Sequence, residues 1–426
     1  MGMAGVVVIA LFLALALLRV PVWVALLVPA ALYTLLTGRP ILFPSTNMVR
    51  ALDSFTLLAI PLFIYVGSLM NHGDVTEKIF DFADSIVGHY TGGMAQVNII
   101  TSLIFSGISG SALADIGGVG RVLIESMEDA GYDSDFSAAL TSASATVGPI
   151  FPPSIPLIIY GIIAEVSVLS LLLAGALPAA LTVMFLMVGT IFIAKKRGFP
   201  KNDERASLTE IARAFTLAFP ALFTPVVLIW GMLVGIFSPT EAAGVTVAYI
   251  LLINTFIYRI SNFRYIWEAA LETAETTGTI VIILAAANVF SFVLSIENID
   301  AVFAETMFAV STNPVLVLIL VNLVLLVLGL FLDPIAALVM MTPIVVPTLV
   351  EVGVDPVHIG VIMVFNLMLG LLTPPLGLSV YLSSDIADVP VADVFRESRT
   401  FYGILLVALV CITYYPPLSL KILEFA

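Results

Sequence analysis

The sequence predicts an all-α polytopic membrane protein. It reads as two inverted-topology repeats, each with about five crossings plus one re-entrant helical hairpin. Three observations point there. The 426 residues are 60% hydrophobic and 11% charged, where a soluble domain carries roughly 25% charged residues; mean hydropathy is +1.14. Apolar stretches long enough to cross a bilayer recur, as at 214–236 and 240–258. The two halves also share their punctuation at one offset. Gly107, Gly131, Asp133, Gly148, Pro152 and Pro153 recur 222 residues later as Gly329, Gly353, Asp355, Gly370, Pro374 and Pro375. That register sets Ser111 on Asp333.

The elements follow in order. The apolar run from Ala4 lacks a basic leader and is followed at once by another, so 4–18 is a first span rather than a cleaved signal. Spans 22–38 and 55–71, a hairpin at 95–127, a broken span at 137–165 and a span at 168–194 complete the first repeat, 1–194. "KKRGFPKNDER", 195–205, holds five of the sixteen basic residues. Positive loops stay in the cytoplasm, so 195–213 is a cytoplasmic linker. The second repeat, 214–426, has spans 214–236, 240–258 and 277–295, a hairpin at 315–350, a broken span at 357–387 and a last span at 401–420. Arg259, Arg264, Arg396 and Arg399 then fall inside, whereas Arg39 and Arg50 fall outside, against the pattern. An odd number of crossings per half sets the halves in opposite orientation. Irregular backbone at membrane depth persists only where protein or a water-filled cavity satisfies it. "ALETAETTG", 270–278, reads as an amphipathic helix lying in the interface and bracing a mobile part.

Several functions are excluded. Cys411 is the single cysteine, and His72, His89 and His358 are scattered, so neither a disulfide framework nor a His-based metal centre is expected. No phosphate-binding GxxxxGK[ST] loop occurs. A net charge of −14 speaks against nucleic acid as a partner. Its acidity fits either a salt-rich host cytoplasm or ordinary acidic loops.

Chemistry concentrates at the hairpin tips and the broken spans. In "TVGPIFPPSIP" (146–156) and "MLGLLTPPLGL" (368–378), a Gly precedes a Pro-Pro pair by four residues. Proline lacks an N–H and clashes with the preceding turn, so Pro152, Pro153, Pro374 and Pro375 mark helix breaks. Freed carbonyls suit a hard cation, and a restarted helix offers N–H groups to an anion. Gly148 and Gly370 permit the turn. The first tip, "SGISGSALADIGGVG" (106–120), offers the hydroxyls of Ser106, Ser109 and Ser111 beside the intramembrane carboxylate Asp115. Asp333 holds the corresponding place in the second hairpin. It precedes Pro334, so capping and ion binding are both open to it. Ser144, Thr146 and Ser154 flank the first break, and Asn366 and Thr373 the second; these neutral oxygens suit sodium. Each Ser or Thr also has the alternative of bonding back to a helix carbonyl. Ser106, Ser109, Asp115, Gly148, Asp333, Gly370 and Thr373 are the expected ion-site residues, and Ser111, Ser144, Ser154 and Asn366 the expected substrate-binding ones. Sodium is the expected coupling ion, with no other cofactor.

The same stretches resemble a known family. "SGISGSALADIGGVG" followed by "GYDSDFSAALTSASATVGPIFPPSIPLIIYG", together with "DPVHIGVIMVFNLMLGLLTPPLGLSVYL", "GIFSPTEAAGV" and "AIPLFIYVGSLM", is similar to the large membrane subunit of tripartite ATP-independent periplasmic transporters. The resemblance covers nearly the whole chain. It implies an elevator-type secondary transporter with a transport domain and a scaffold domain in the cell membrane. It also implies a sodium gradient as driving force and an organic acid, such as a C4-dicarboxylate or a sialic acid, as substrate. Its implied partners are a small four-helix membrane subunit and an extracytoplasmic substrate-binding protein. The family's Ser-x-Ser-x-x-x-Asp pattern falls here on Ser109, Ser111 and Asp115; the second tip's Asp falls on Asp333, and the second break's Gly and Thr on Gly370 and Thr373. Two departures stand out. Gly117 and Gly118 replace two alanines, and Pro334 replaces a threonine.

Three rival readings remain at this point. A stand-alone carrier of the same architecture would need no binding protein. A membrane-embedded enzyme would use Asp115 and Asp333 as an acid–base pair, but no His, Cys or Lys lies near them in sequence. A channel would not accumulate its solute.

Overall fold

The computed structural model describes residues 3–18, 20–71, 73–200, 205–260 and 262–425. Among these, six helices are long and apolar enough to cross a membrane, and three bent helix pairs raise the number to nine. His72 lies outside the described residues.

Both hairpins form. The first pairs Gly93–Ser109 with a returning arm that starts at Ala112–Asp115, passes through a π-helical turn at Ile116–Gly120 and ends as Arg121–Asp129. Gly110 makes the turn at φ +64°, a left-handed conformation open to glycine at little cost. A Cβ there would also stand 2.6 Å from the Pro153 carbonyl oxygen, so the tip rests against the first break. The second hairpin is Pro314–Phe331 and Pro334–Glu351.

The broken spans share one local design. Ser134–Ala145 gives way to a 3-10 turn at Gly148–Ile150 and restarts as Ile155–Ile163. Pro356–Leu369 gives way to a 3-10 turn at Gly370–Leu372 and restarts as Leu378–Ala387. The offset of 222 pairs residues with equal structural roles. Gly131 and Gly353 both take positive φ, 87° and 84°. Asp133 and Asp355 are both N-caps. Ser111 and Asp333 both cap the returning hairpin arm. Pro152–Pro153 and Pro374–Pro375 are both cis.

The halves are joined through buried polar contacts. Tyr160 donates to the Pro356 carbonyl at 2.7 Å. Ser142 donates to the Ser379 carbonyl at 3.0 Å and lies 2.6 Å from the Ser383 hydroxyl.

Several sequence-based boundaries shift. Helix Val168–Arg197 runs three residues into the expected linker, and Leu208–Leu222 begins inside it. The 195–213 linker is thus largely helical at both ends. Helix capping explains this: Gly198 stops the first helix behind three basic residues, and a Ser207–Glu210 capping box starts the next. The last span ends at Tyr414, and the chain then bends by 79° at the two prolines 416–417. Three helices escape a search for long apolar runs, Phe43–Leu52, Gly73–Val87 and Ile299–Val310, because each is short and carries polar residues. Residues 270–278 are not a separate interfacial helix. They belong to Phe263–Ile296, one 34-residue helix continuous with the expected span.

Candidate functional site

The first hairpin gathers its polar residues by helical spacing. Asn98, Ser102, Ser106 and Ser109 fall three or four residues apart on Gly93–Ser109, hence on one face. Asp115 is buried, 1% exposed. Ser106 donates to its Oδ2 and Ser109 to its Oδ1. The first break closes against this group: a Cβ at Gly148 would lie 2.6 Å from Ser106 Oγ and 2.9 Å from Asp115 Oδ2. A carboxylate, two hydroxyls and the turn of a broken helix therefore meet at one point, the donor set a hard cation prefers.

Behind it lies a second buried network. Asn98 donates to Thr141 Oγ1 at 2.7 Å, and Ser144 donates to Asn98 Oδ1 at 3.0 Å. Ser102 and Ser144 hydroxyls lie 2.9 Å apart. These bonds fasten the first hairpin arm to Ser134–Ala145.

The second half builds its counterpart from backbone. A Cβ at Gly370 would lie 2.2 Å from the Gly329 carbonyl oxygen. Thr373 donates back to the Leu369 carbonyl at 2.8 Å. Asp333 accepts at Oδ1 from the Ile335 and Ala336 N–H groups, at 3.0 and 3.1 Å. Its capping role is thus realised, and those two N–H groups are already taken.

Both tips and both breaks reach a cavity of about 510 Å³. Ser109, Ser111 and Asp333 line it. The other three expected substrate residues do not. Ser144 is held in the Asn98 network. Ser154 is fully buried, donates to the Pro149 carbonyl and caps Ile155–Ile163 through the Leu157 N–H at 3.1 Å. Asn366 is fully buried and donates to Asn322 Oδ1 at 2.6 Å. In each case a hydrogen bond inside the protein holds the side chain away from the cavity, though Asn366 Oδ1 itself has no partner among the described residues. Thr146 likewise donates to the Ala143 carbonyl at 2.7 Å. Arg121 is exposed and pairs with Glu125 at 3.7 Å, away from the cavity.

The cavity has a wall that the residue types alone did not reveal. Glu272, Thr276 and Thr279 of Phe263–Ile296 line it, as do Ser68 and Asn71. The spacing of 272, 276 and 279 is the available signal: three polar residues on one helix face just before an apolar span. Ser68, Asn71 and Glu272 also line an adjoining hollow of about 390 Å³ beside Asn262 and Arg264. The charge pattern of the sequence expects the Arg264 end on the cytoplasmic side, and this adjoining hollow lies at that end. Toward the other end, helix Ile155–Ile163 presents four fully buried residues, 157–160, after its cavity-lining start.

Broken helices and hairpin tips meeting at one cavity within a bundle of membrane-crossing helices define a multi-pass membrane transport protein. The chain belongs to the family described as the DctM component of tripartite ATP-independent periplasmic transporters, which matches residues 9–418. It is 41% identical over 405 residues to the sialic acid TRAP transporter large permease protein SiaM of Vibrio cholerae, covering 95% of each chain. It is 35% identical to the C4-dicarboxylate TRAP transporter large permease protein DctM of Pseudomonas aeruginosa, covering 90% of this chain and 91% of that one. Its fold is similar to the crystal structure of the Alcanivorax borkumensis YdaH transporter, with a TM-score of 0.60 at 13% identity, covering 88% and 89% of the two chains. These relatives are permeases by name, which fits a transporter of the cell membrane rather than an enzyme.

Proposed function

We propose that this chain is the large membrane subunit of a sodium-coupled, binding-protein-dependent secondary transporter that imports a small organic anion by an elevator movement. The carrying observation is the charge of the cavity. Among its described lining residues are two carboxylates, Asp333 and Glu272, and no Lys, Arg or His. An organic anion entering such a space meets an unfavourable potential unless cations accompany it. The two hairpin–break junctions supply places for them. One is Asp115 with Ser106, Ser109 and the turn at Gly148. The other is the backbone around Gly329 and Gly370 beside Thr373.

In this reading sodium binds first and holds the tips against the breaks, and the anion follows. An ion can drive such a cycle only by favouring one state over another. The hairpins and breaks move together as the transport domain, and the remaining spans form the scaffold. The recurrence at 222 residues supports an inverted repeat, the arrangement that lets one domain face either side. The family description, "tripartite", and the relatives' name, "large permease", support a small membrane subunit and a substrate-binding protein as partners.

The test is uptake of labelled organic acids into proteoliposomes containing this chain and its small subunit, with and without the binding protein. Uptake is expected only with an inward sodium gradient and the binding protein present. Equal uptake in potassium would refute sodium coupling, and uptake without the binding protein would make this a stand-alone carrier.

A further inference from the structure

We infer that Glu272 makes the cavity select acids with one carboxylate and several hydroxyls over dicarboxylates; the inference rests on the transport reading above. Glu272 stands where the 510 Å³ cavity and the 390 Å³ hollow meet, since it lines both. Ser68 and Asn71 line both as well, so Glu272 is the one charged residue, among those described, that the two share. The other charges of the hollow, Arg264 and Glu268, pair with each other at 2.7 Å. Among the described residues no ion pair involves Glu272, and its side chain is exposed.

The helix carrying it grades from polar to apolar along the cavity. Glu272, Thr276 and Thr279 come first, then Ile280 and Ile283. From 272 to 283 is about 16 Å of helix at 1.5 Å per residue. A substrate with its carboxylate at the hairpin tips, where the cations are proposed, reaches this wall with its other end. A second carboxylate there meets Glu272 as a like charge, and among the described residues no lysine or arginine lines the cavity to offset it. A hydroxyl there donates to Glu272 in a charge-assisted bond. Thr276, Thr279, Ser68 and Asn71 add donors and acceptors that match a polyhydroxylated chain. The volume lies within the range of small-molecule sites, roughly 300–1,000 Å³, and accommodates a sugar acid.

The inference is tested on the purified complex of this chain and its small subunit, without binding protein, so that only the membrane cavity selects. Thermal unfolding in sodium or potassium chloride is followed while N-acetylneuraminate, gluconate or succinate is titrated. The two hydroxylated monocarboxylates are expected to stabilise the complex in sodium, with succinate about tenfold weaker or more. Glu272→Gln is expected to bring succinate within about threefold of gluconate, and Glu272→Asp to retain the discrimination. Thr276→Val is expected to weaken gluconate and leave succinate unchanged. Succinate binding to the wild type as tightly as gluconate would overturn the inference, as would a Glu272→Gln complex with an unaltered ratio. Stabilisation that is equal in potassium would refute sodium coupling, and the ratio would still decide the role of Glu272. If no acid stabilises the complex in sodium, the transport reading falls and this inference with it.

Discussion

Gly370 rests on the backbone of Gly329, so close that an added Cβ would stand 2.2 Å from the Gly329 carbonyl oxygen. Its counterpart Gly148 faces side chains instead, Ser106 Oγ and Asp115 Oδ2. A methyl group at Gly370 must therefore move main chain, whereas one at Gly148 must displace only two side chains. Gly370→Ala is expected to lower the thermal stability of the protein and abolish transport. Gly148→Ala is expected to insert at normal levels with the proposed sodium site disturbed. Membrane abundance, melting temperature and the sodium-activation curve separate the two. Wild-type behaviour of Gly370→Ala would show that this backbone contact is dispensable.

Asp115 has both carboxylate oxygens engaged, by Ser106 and by Ser109. If sodium binds at this point, Ser109→Ala removes one oxygen ligand and Asp115→Asn removes the charge. Each variant is expected to raise the half-saturating sodium concentration by about tenfold or more, the scale of one lost charge-assisted contact. The measurement is initial uptake against sodium at fixed substrate. Loss of maximal rate with an unshifted sodium curve would assign Asp115 to folding alone.

Asp333 separates capping from ion chemistry. Its Oδ1 holds the N–H groups of Ile335 and Ala336, and an asparagine holds them nearly as well. Asp333→Asn is expected to keep the melting temperature and to change sodium or substrate dependence through the lost charge. Asp333→Ala is expected to cost about 1 kcal/mol of stability in addition, the typical worth of an N-cap. Identical transport by Asp333→Asn and wild type would leave this residue a cap only.

The fold was legible where the chain breaks its own rules. Gly and Pro pairs inside apolar runs have few uses, and their repetition at one offset located both tips and both breaks. Ser109, Ser111 and Asp333 followed from the same logic and do line the cavity. Ser144, Ser154 and Asn366 were legible as polar and central but not as internally bonded, because their partners Asn98, Pro149 and Asn322 lie on other turns or other helices. Glu272 was hidden for a different reason. Its amphipathic stretch looks like an interfacial helix until Phe263–Ile296 is seen as one continuous rod. Composition gives the polarity of a helix face, and only packing gives what that face meets.

The Asn98 network gives a prediction that distinguishes support from ligand binding. Asn98 bonds Thr141 and Ser144, all three are buried, and Ser144 in turn meets Ser102. Asn98→Ala leaves the Thr141 and Ser144 hydroxyls with fewer partners in a place water does not reach. Thr141 keeps the Ser137 carbonyl, and Ser144 keeps Ser102 and the Thr141 carbonyl, so the loss is that of two buried hydrogen bonds at about 0.5–1.5 kcal/mol each, and Asn98→Ala is expected to lower the melting temperature measurably. Ser144→Ala is expected to lower it as well, since Asn98 Oδ1 then loses its donor and the Ser102 hydroxyl its partner. Neither residue lines the cavity, so the substrate concentration at half-maximal uptake is expected to stay at its wild-type value in both. Ser111→Ala supplies the contrast: it lines the cavity and is only partly buried, so it is expected to weaken substrate binding at no more than the cost of one N-cap, about 1 kcal/mol. A raised half-saturating substrate concentration in Ser144→Ala, with unchanged melting, would return that serine to the substrate site and show that the network rearranges during transport.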